Sequence, residues 1–122
     1  MTLVVDASVV VAALIDSGSE GRWAERQLVS EPLLAPHLLP VEVASVLRRS
    51  ERAGLITSDV ASMAFDDLGL LSIDLAPFEL LGPRIWELRH NCTPYDAWYV
   101  ALAELTESPL ATLDSKLTSA PG

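Results

Sequence analysis

Short apolar runs alternate along the chain with longer stretches whose apolar residues recur every three or four positions. The runs at 2–6 (TLVVD), 33–36 (LLAP), 70–75 (LLSIDL) and 109–113 (PLATL) predict four strands. The stretches between them predict helices over 7–15, 19–30, 40 to about 53, 57 to about 69, 77 to about 90 and 93 to about 107. A short last helix is expected from Asp114. Pro40 and Pro77 are suited to open helices, and Gly54 to close one. The strands are continuous apolar runs rather than alternations. That pattern predicts an α/β fold: a small parallel sheet covered by helices on both faces.

Ligands of such sheets gather at the carboxyl ends of the strands, where strand order reverses. This gives a reason for Asp6, a carboxylate inside the apolar run LVVDASVV. It ends the first strand, so it is expected at a rim rather than in the core. Capping of the next helix would explain it equally well. Asp114 repeats the pattern at the end of LATLD. Asp96 follows Thr93 by three residues in TPYDAWYVALAE, which reads as a capping box at a helix start. Glu42 lies in the first turn of the helix opened by Pro40, where the helix dipole favours a carboxylate. At helical spacing Glu42 shares a face with Ser45, Arg49 and Arg52, either as a solvated stripe or as an acidic tip with arginines placed for phosphates.

Taken together, four carboxylates at the tops of successive elements predict one acidic pocket. Unneutralised, such a group repels itself and raises its own pKa values. Oxygen ligands without a His or Cys cluster select a hard cation, Mg2+ or Mn2+. The net charge of −9 points the same way, because an acidic protein that works on a polyanion must recruit positive charge. A bound divalent ion activates water and steadies a leaving oxygen, which suits phosphodiester hydrolysis.

With 122 residues, half of them hydrophobic, the chain is expected to form one domain spanning 1–122. No apolar run is long enough for a bilayer, and the opening stretch has no signal-peptide pattern. The one cysteine, Cys92, excludes an internal disulfide and fits a reducing compartment, so a soluble cytoplasmic protein is expected.

The stretches VVDASVVVA, LLPVEVASVLRR, TPYDAWYVALAE and LATLDSKL, in this order and at this spacing, resemble the PIN-domain ribonucleases, and most closely the VapC-type toxins of bacterial toxin–antitoxin pairs. The resemblance spans almost the whole chain. It implies a three-layer α/β/α domain and an endoribonuclease dependent on Mg2+ or Mn2+. It makes Asp6 and Asp96 the principal metal ligands, with Glu42 and Asp114 completing the site directly or through water. Ser8 and Thr112 match positions where the family often carries a hydroxyl. The implied partners are an RNA substrate and a small antitoxin whose tail blocks the pocket; a homodimer or toxin–antitoxin hetero-oligomer is expected. Arg49 and Lys116 are candidates for RNA phosphates. Relatives usually continue past a segment like Ala120-Pro121-Gly122 into a final strand. The domain is therefore expected either to be a shortened chain or to lack that edge strand.

Other features carry less. Cys92 lies near a helix start, where a thiol pKa can drop, and His90 is close in sequence, but no oxyanion motif accompanies them. His37 reads as a loop histidine. Trp23, Trp86 and Trp98 read as core or interface packing. A phospho-signalling receiver would need two adjacent acids after the first strand and would use Asp74 as acceptor; the chain offers Asp6 alone there. A haloacid-type phosphatase would need an acid at Ser8. A non-catalytic PIN-like binding module would retain the fold and the cation site without cleavage.

Overall fold

A computed structural model describes residues 1–114 and Leu117. In chain order the elements are β1 (Leu3–Val5), α1 (Ala7–Ile15), α2 (Ser19–Ser30), β2 (Leu33–Pro36), α3 (Leu39–Arg52), α4 (Ser58–Leu70), β3 (Ile73–Ala76), α5 (Phe78–Glu87), α6 (Pro94–Thr106) and β4 (Leu110–Ala111). The strands form one all-parallel sheet in the order β3-β2-β1-β4. Leu3 and Val4 lie opposite Leu33 and Leu34 on one side of β1, and Val4 and Val5 lie opposite Leu110 and Ala111 on the other.

This order positions the site. The chain runs outward from β1 through β2 to β3, then returns to the opposite side of β1 for β4. The reversal falls beside β1, so its carboxyl end, occupied by Asp6, opens a crevice between neighbouring crossovers. Helix α1 packs on α2, α3 and α4, while α5 packs on α6 and α6 lies across β1, β2 and β4. The fold is a three-layer α/β/α domain.

The core forms where the apolar runs meet. Val4, Val5, Val9, Val10, Leu39, Val43 and Tyr99 are fully buried. Completely burying one aliphatic side chain of this size contributes about 1.5–3 kcal/mol, so strand β1 and the inner faces of α1, α3 and α6 supply most of the cohesion. Gly21 marks the closest approach of α2 to the end of α1. A Cβ there would lie 1.8 Å from the Asp16 carbonyl oxygen. Gly54, at φ 76°, follows α3 as its position after an arginine-rich last turn suggests.

Three expectations need correction. The run at 70–75 is not one strand. Leu70 completes α4, Leu71 caps it with an N–H bond to the Leu68 carbonyl, and β3 begins only at Ile73. A short apolar run at a helix end cannot be told from a strand by periodicity. Strand β3 is also an edge strand with Asp74 and Leu75 exposed, so it does not share the two-sided burial of β1 and β2. Finally, α5 ends at Glu87, with turns through to Asn91 in place of the expected last helical turn. The helix expected after Asp114 lies mostly outside the described residues; within them, Leu117 is helical and buried.

Candidate active site

Asp6 is the one buried charged residue among those described, at 3% exposure. It follows β1 directly and caps α1, its Oδ1 accepting the Val9 N–H at 3.2 Å. Two hydroxyls complete its surroundings. Ser8 Oγ donates to Oδ1 at 2.6 Å, and Thr112 Oγ1 donates to Oδ2 at 2.5 Å. Each hydroxyl also accepts: Ser8 Oγ from the Leu113 N–H at 2.9 Å, and Thr112 Oγ1 from the Asp114 N–H at 2.8 Å. The start of α1 and the segment after β4 are thereby stitched together around one carboxylate.

A carboxylate offers about four acceptor directions. Protein donors take two on Oδ1 and one on Oδ2. Among the described residues, the direction left over belongs to Oδ2. Despite three donors, burial and the charge of Asp114 together push the Asp6 carboxyl above its usual value. Desolvation outweighs hydrogen bonding here.

Glu42 enters from the first turn of α3. The structure starts that helix at Leu39, with Leu38 before it and no side-chain cap, so Pro40 is its second residue. The Tyr99 hydroxyl donates to Glu42 Oε1 at 2.6 Å. Burial first, then the charges of Asp6 and Asp96, push the Glu42 carboxyl up, against the Tyr99 hydrogen bond. Asp96 enters from the first turn of α6, where Thr93 caps the helix by accepting the Asp96 N–H at 3.2 Å. Capping and clustering therefore coexist at Asp6 and at Asp96.

All four carboxylates, Asp6, Glu42, Asp96 and Asp114, line one cleft of about 710 Å³. Ser8, Ser45 and Arg49 line it too, and Arg49 Nη1 donates to Ser45 Oγ at 3.0 Å. Arg48 and Arg52 are exposed and are not among the lining residues. Lys116 lies outside the described residues. Sequence reasoning missed Asp16, Glu20, Tyr95 and Tyr99, which also line the cleft. For Tyr99 a signal existed: it follows Asp96 by three residues and so shares its helix face.

Six carboxylates against Arg49 alone make the cleft strongly negative among the described residues. Among those residues no three His, Cys, Asp or Glu side chains stand close enough to hold one metal ion directly. The donor set still fits a hard cation. It is all oxygen, the described residues leave one acceptor direction of Asp6, and Mg2+ typically keeps several waters while bound by one or two carboxylates.

The remaining candidates do not build sites. Burial pushes the Cys92 thiol up, and Asp96 adds to this, so Cys92 is not activated by the nearby helix start. His90 and His37 are exposed. Trp23 packs against the core, and Trp98 meets Phe78 edge to face at 5.6 Å. Trp86 is not core: it is 65% exposed, with the Arg89 guanidinium 4.4 Å over its ring. No helix among the described residues is long and apolar enough to cross a membrane.

A family model described as the PIN domain matches residues 3–122. Ribonuclease VapC1 of Mycobacterium tuberculosis is 42% identical over 123 residues, covering 98% of this chain and 90% of that protein. Among solved structures, VapC20 of Mycobacterium tuberculosis, a sarcin–ricin loop cleaving toxin, superposes with TM-score 0.71 at 19% identity, covering 96% of this chain and 93% of that one. VapBC2 of Rickettsia felis, bound to a DNA fragment from its promoter, gives TM-score 0.69 at 15% identity, covering 99% and 94%.

Proposed function

The chain belongs to the PIN-domain family, and from that premise we propose that it is a Mg2+- or Mn2+-dependent endoribonuclease, the toxin of a toxin–antitoxin pair. The names of its relatives support ribonuclease activity. The observation that carries the chemistry is the meeting of Asp6, Glu42, Asp96 and Asp114 in one cleft, although they are contributed by four separate segments.

Asp6 and Asp96 would hold the cation, with Glu42 and Asp114 completing its surroundings directly or through water. When bound, such an ion supplies the positive charge an RNA phosphate needs beside these carboxylates, lowers the pKa of a water and steadies the leaving oxygen. Ser8 and Thr112 fix the Asp6 carboxylate, which lines the cleft. Glu42, pushed up by burial, is suited to take a proton from the attacking water. Water oxygen bonds to phosphorus, the bond to the leaving sugar oxygen breaks, and that oxygen takes a proton from solvent water while Glu42 returns its own to solvent. Arg49, braced by Ser45, is placed to pair with a neighbouring phosphate.

A cleft this acidic also suits a basic inhibitor. The antitoxin is read as a small protein whose tail brings a cationic side chain into it. The site of action is read as the cytoplasm, and a homodimer or a toxin–antitoxin hetero-oligomer as the working assembly.

The receiver reading is disfavoured because its acceptor, Asp74, is exposed on edge strand β3 and absent from the cleft lining. Purified protein incubated with total cellular RNA tests the proposal. Cleavage is expected with Mg2+ or Mn2+, and loss of it with chelator and in Asp96→Asn. Cleavage unchanged by either, or none with any divalent ion, would refute it and favour a non-catalytic module.

A further inference from the structure

Tyr99 is 2% exposed, packed in the core with α6 across the sheet. A phenylalanine would fill that space without bringing a hydroxyl out of water. The hydroxyl is therefore not demanded by packing. It reaches instead to the carboxylate site, donating to Glu42 Oε1 at 2.6 Å and accepting from the backbone N–H of Ala7, the residue after Asp6. Tyr99 itself lies one helical turn beyond Asp96. One phenol thus contacts the start of α1 and the first turn of α3 from the helix that carries Asp96.

Glu42 has reason to leave. It is half-buried, Asp6 and Asp96 repel it, and solvent lies on the open side of the cleft. The Tyr99 hydrogen bond opposes that departure and fixes which oxygen is engaged. We propose that Tyr99 is a positioning residue that holds Glu42 over the cleft, with Oε1 bound to the phenol and Oε2 left for a divalent cation or its water. This rests on the metal-dependent reading above.

Mn2+ titration of the full chain by calorimetry, without RNA, tests it. Removing partners that orient metal ligands typically costs about 10- to 100-fold in affinity. Tyr99→Phe, which keeps the ring and its packing, is expected to weaken Mn2+ binding about tenfold while unfolding remains cooperative. Glu42→Ala should weaken it at least as much, and Tyr99→Phe added to Glu42→Ala should change little further. Glu42→Asp leaves Tyr99 untouched and shortens the carboxylate arm out of reach of the phenol; a loss like that of Tyr99→Phe is expected. Wild-type Mn2+ affinity in Tyr99→Phe or in Glu42→Asp, or independent losses in the double variant, would overturn the positioning role and leave the metal site standing. Absence of Mn2+ binding by the unsubstituted protein would overturn both.

Discussion

Thr112 donates its hydroxyl to Asp6 Oδ2 at 2.5 Å, joining residues 106 positions apart. Thr112 Oγ1 in turn accepts the Asp114 N–H at 2.8 Å. Thr112→Val keeps the shape and removes both bonds. Leaving partly buried polar groups unpaired costs about 1–3 kcal/mol, and Asp6 loses its lock. Urea unfolding is expected to show a stability loss of about that size. RNA cleavage is expected to fall about tenfold. Unchanged cleavage would mean that Asp6 is held well enough by Ser8 and Val9 alone.

Stability should depend on pH through Asp6 and Glu42. Both carboxyls are raised on folding, chiefly by burial. Between their unfolded and folded values the folded protein binds more protons, so stability is lost as pH rises through that window. The melting temperature of metal-free protein is therefore expected to be lower at about pH 8 than at about pH 5. Glu104 is lowered by its Arg84 hydrogen bond, and its contribution is lost as pH falls below its ordinary range, outside this window. Mg2+ at a hundred times its Kd should restore about 2.7 kcal/mol at the higher pH. Glu42→Gln should flatten the profile. A metal-free protein steadily more stable toward pH 8 would contradict this.

Arg49 is the cationic side chain among the described residues that line the cleft. If it pairs with a substrate phosphate, Arg49→Ala should raise KM with a smaller change in kcat. It should also reduce the slope of binding against log salt by about 1. A fall in kcat at unchanged KM would give Arg49 a transition-state role instead.

Gly21→Ala forces a Cβ onto the Asp16 carbonyl oxygen, 1.8 Å away in the present backbone. Backbone cannot yield as a flexible side chain does, so α2 must move off α1. A loss above about 2 kcal/mol is expected in denaturant titration. An unchanged midpoint would show that the two helices separate easily.

Legibility in the sequence followed the strength of the local pattern. The buried runs of β1 and β2, the proline-opened helices and the Thr93 cap were readable because each has a local cause. Asp6 could be placed at a strand end from its run, whereas Asp114 stands three residues past β4, which ends at Ala111; the cleft brings both together with Glu42 and Asp96. Edge strand β3 was misread because Leu70 and Leu71 suit a strand as well as a helix end. Of the two readings of Trp86, core or interface, exposure removes the core, because apolar neighbours in sequence need not be neighbours in space. Asp16, Glu20 and Tyr95 reach the cleft through the packing of α1, α2 and α6, which no local pattern encodes. The hydroxyl of Tyr99 points to its role only once Glu42 is seen opposite it.

The most direct measurement is anomalous diffraction from crystals grown with Mn2+. One Mn2+ peak is expected in the cleft, within coordination distance of Asp6 Oδ2 and of Asp96, with Glu42 and Asp114 close enough to bond it or one of its waters. A cleft without manganese at saturating concentration, or a peak bound to neither Asp6 nor Asp96, would contradict a shared cation at the carboxyl end of β1.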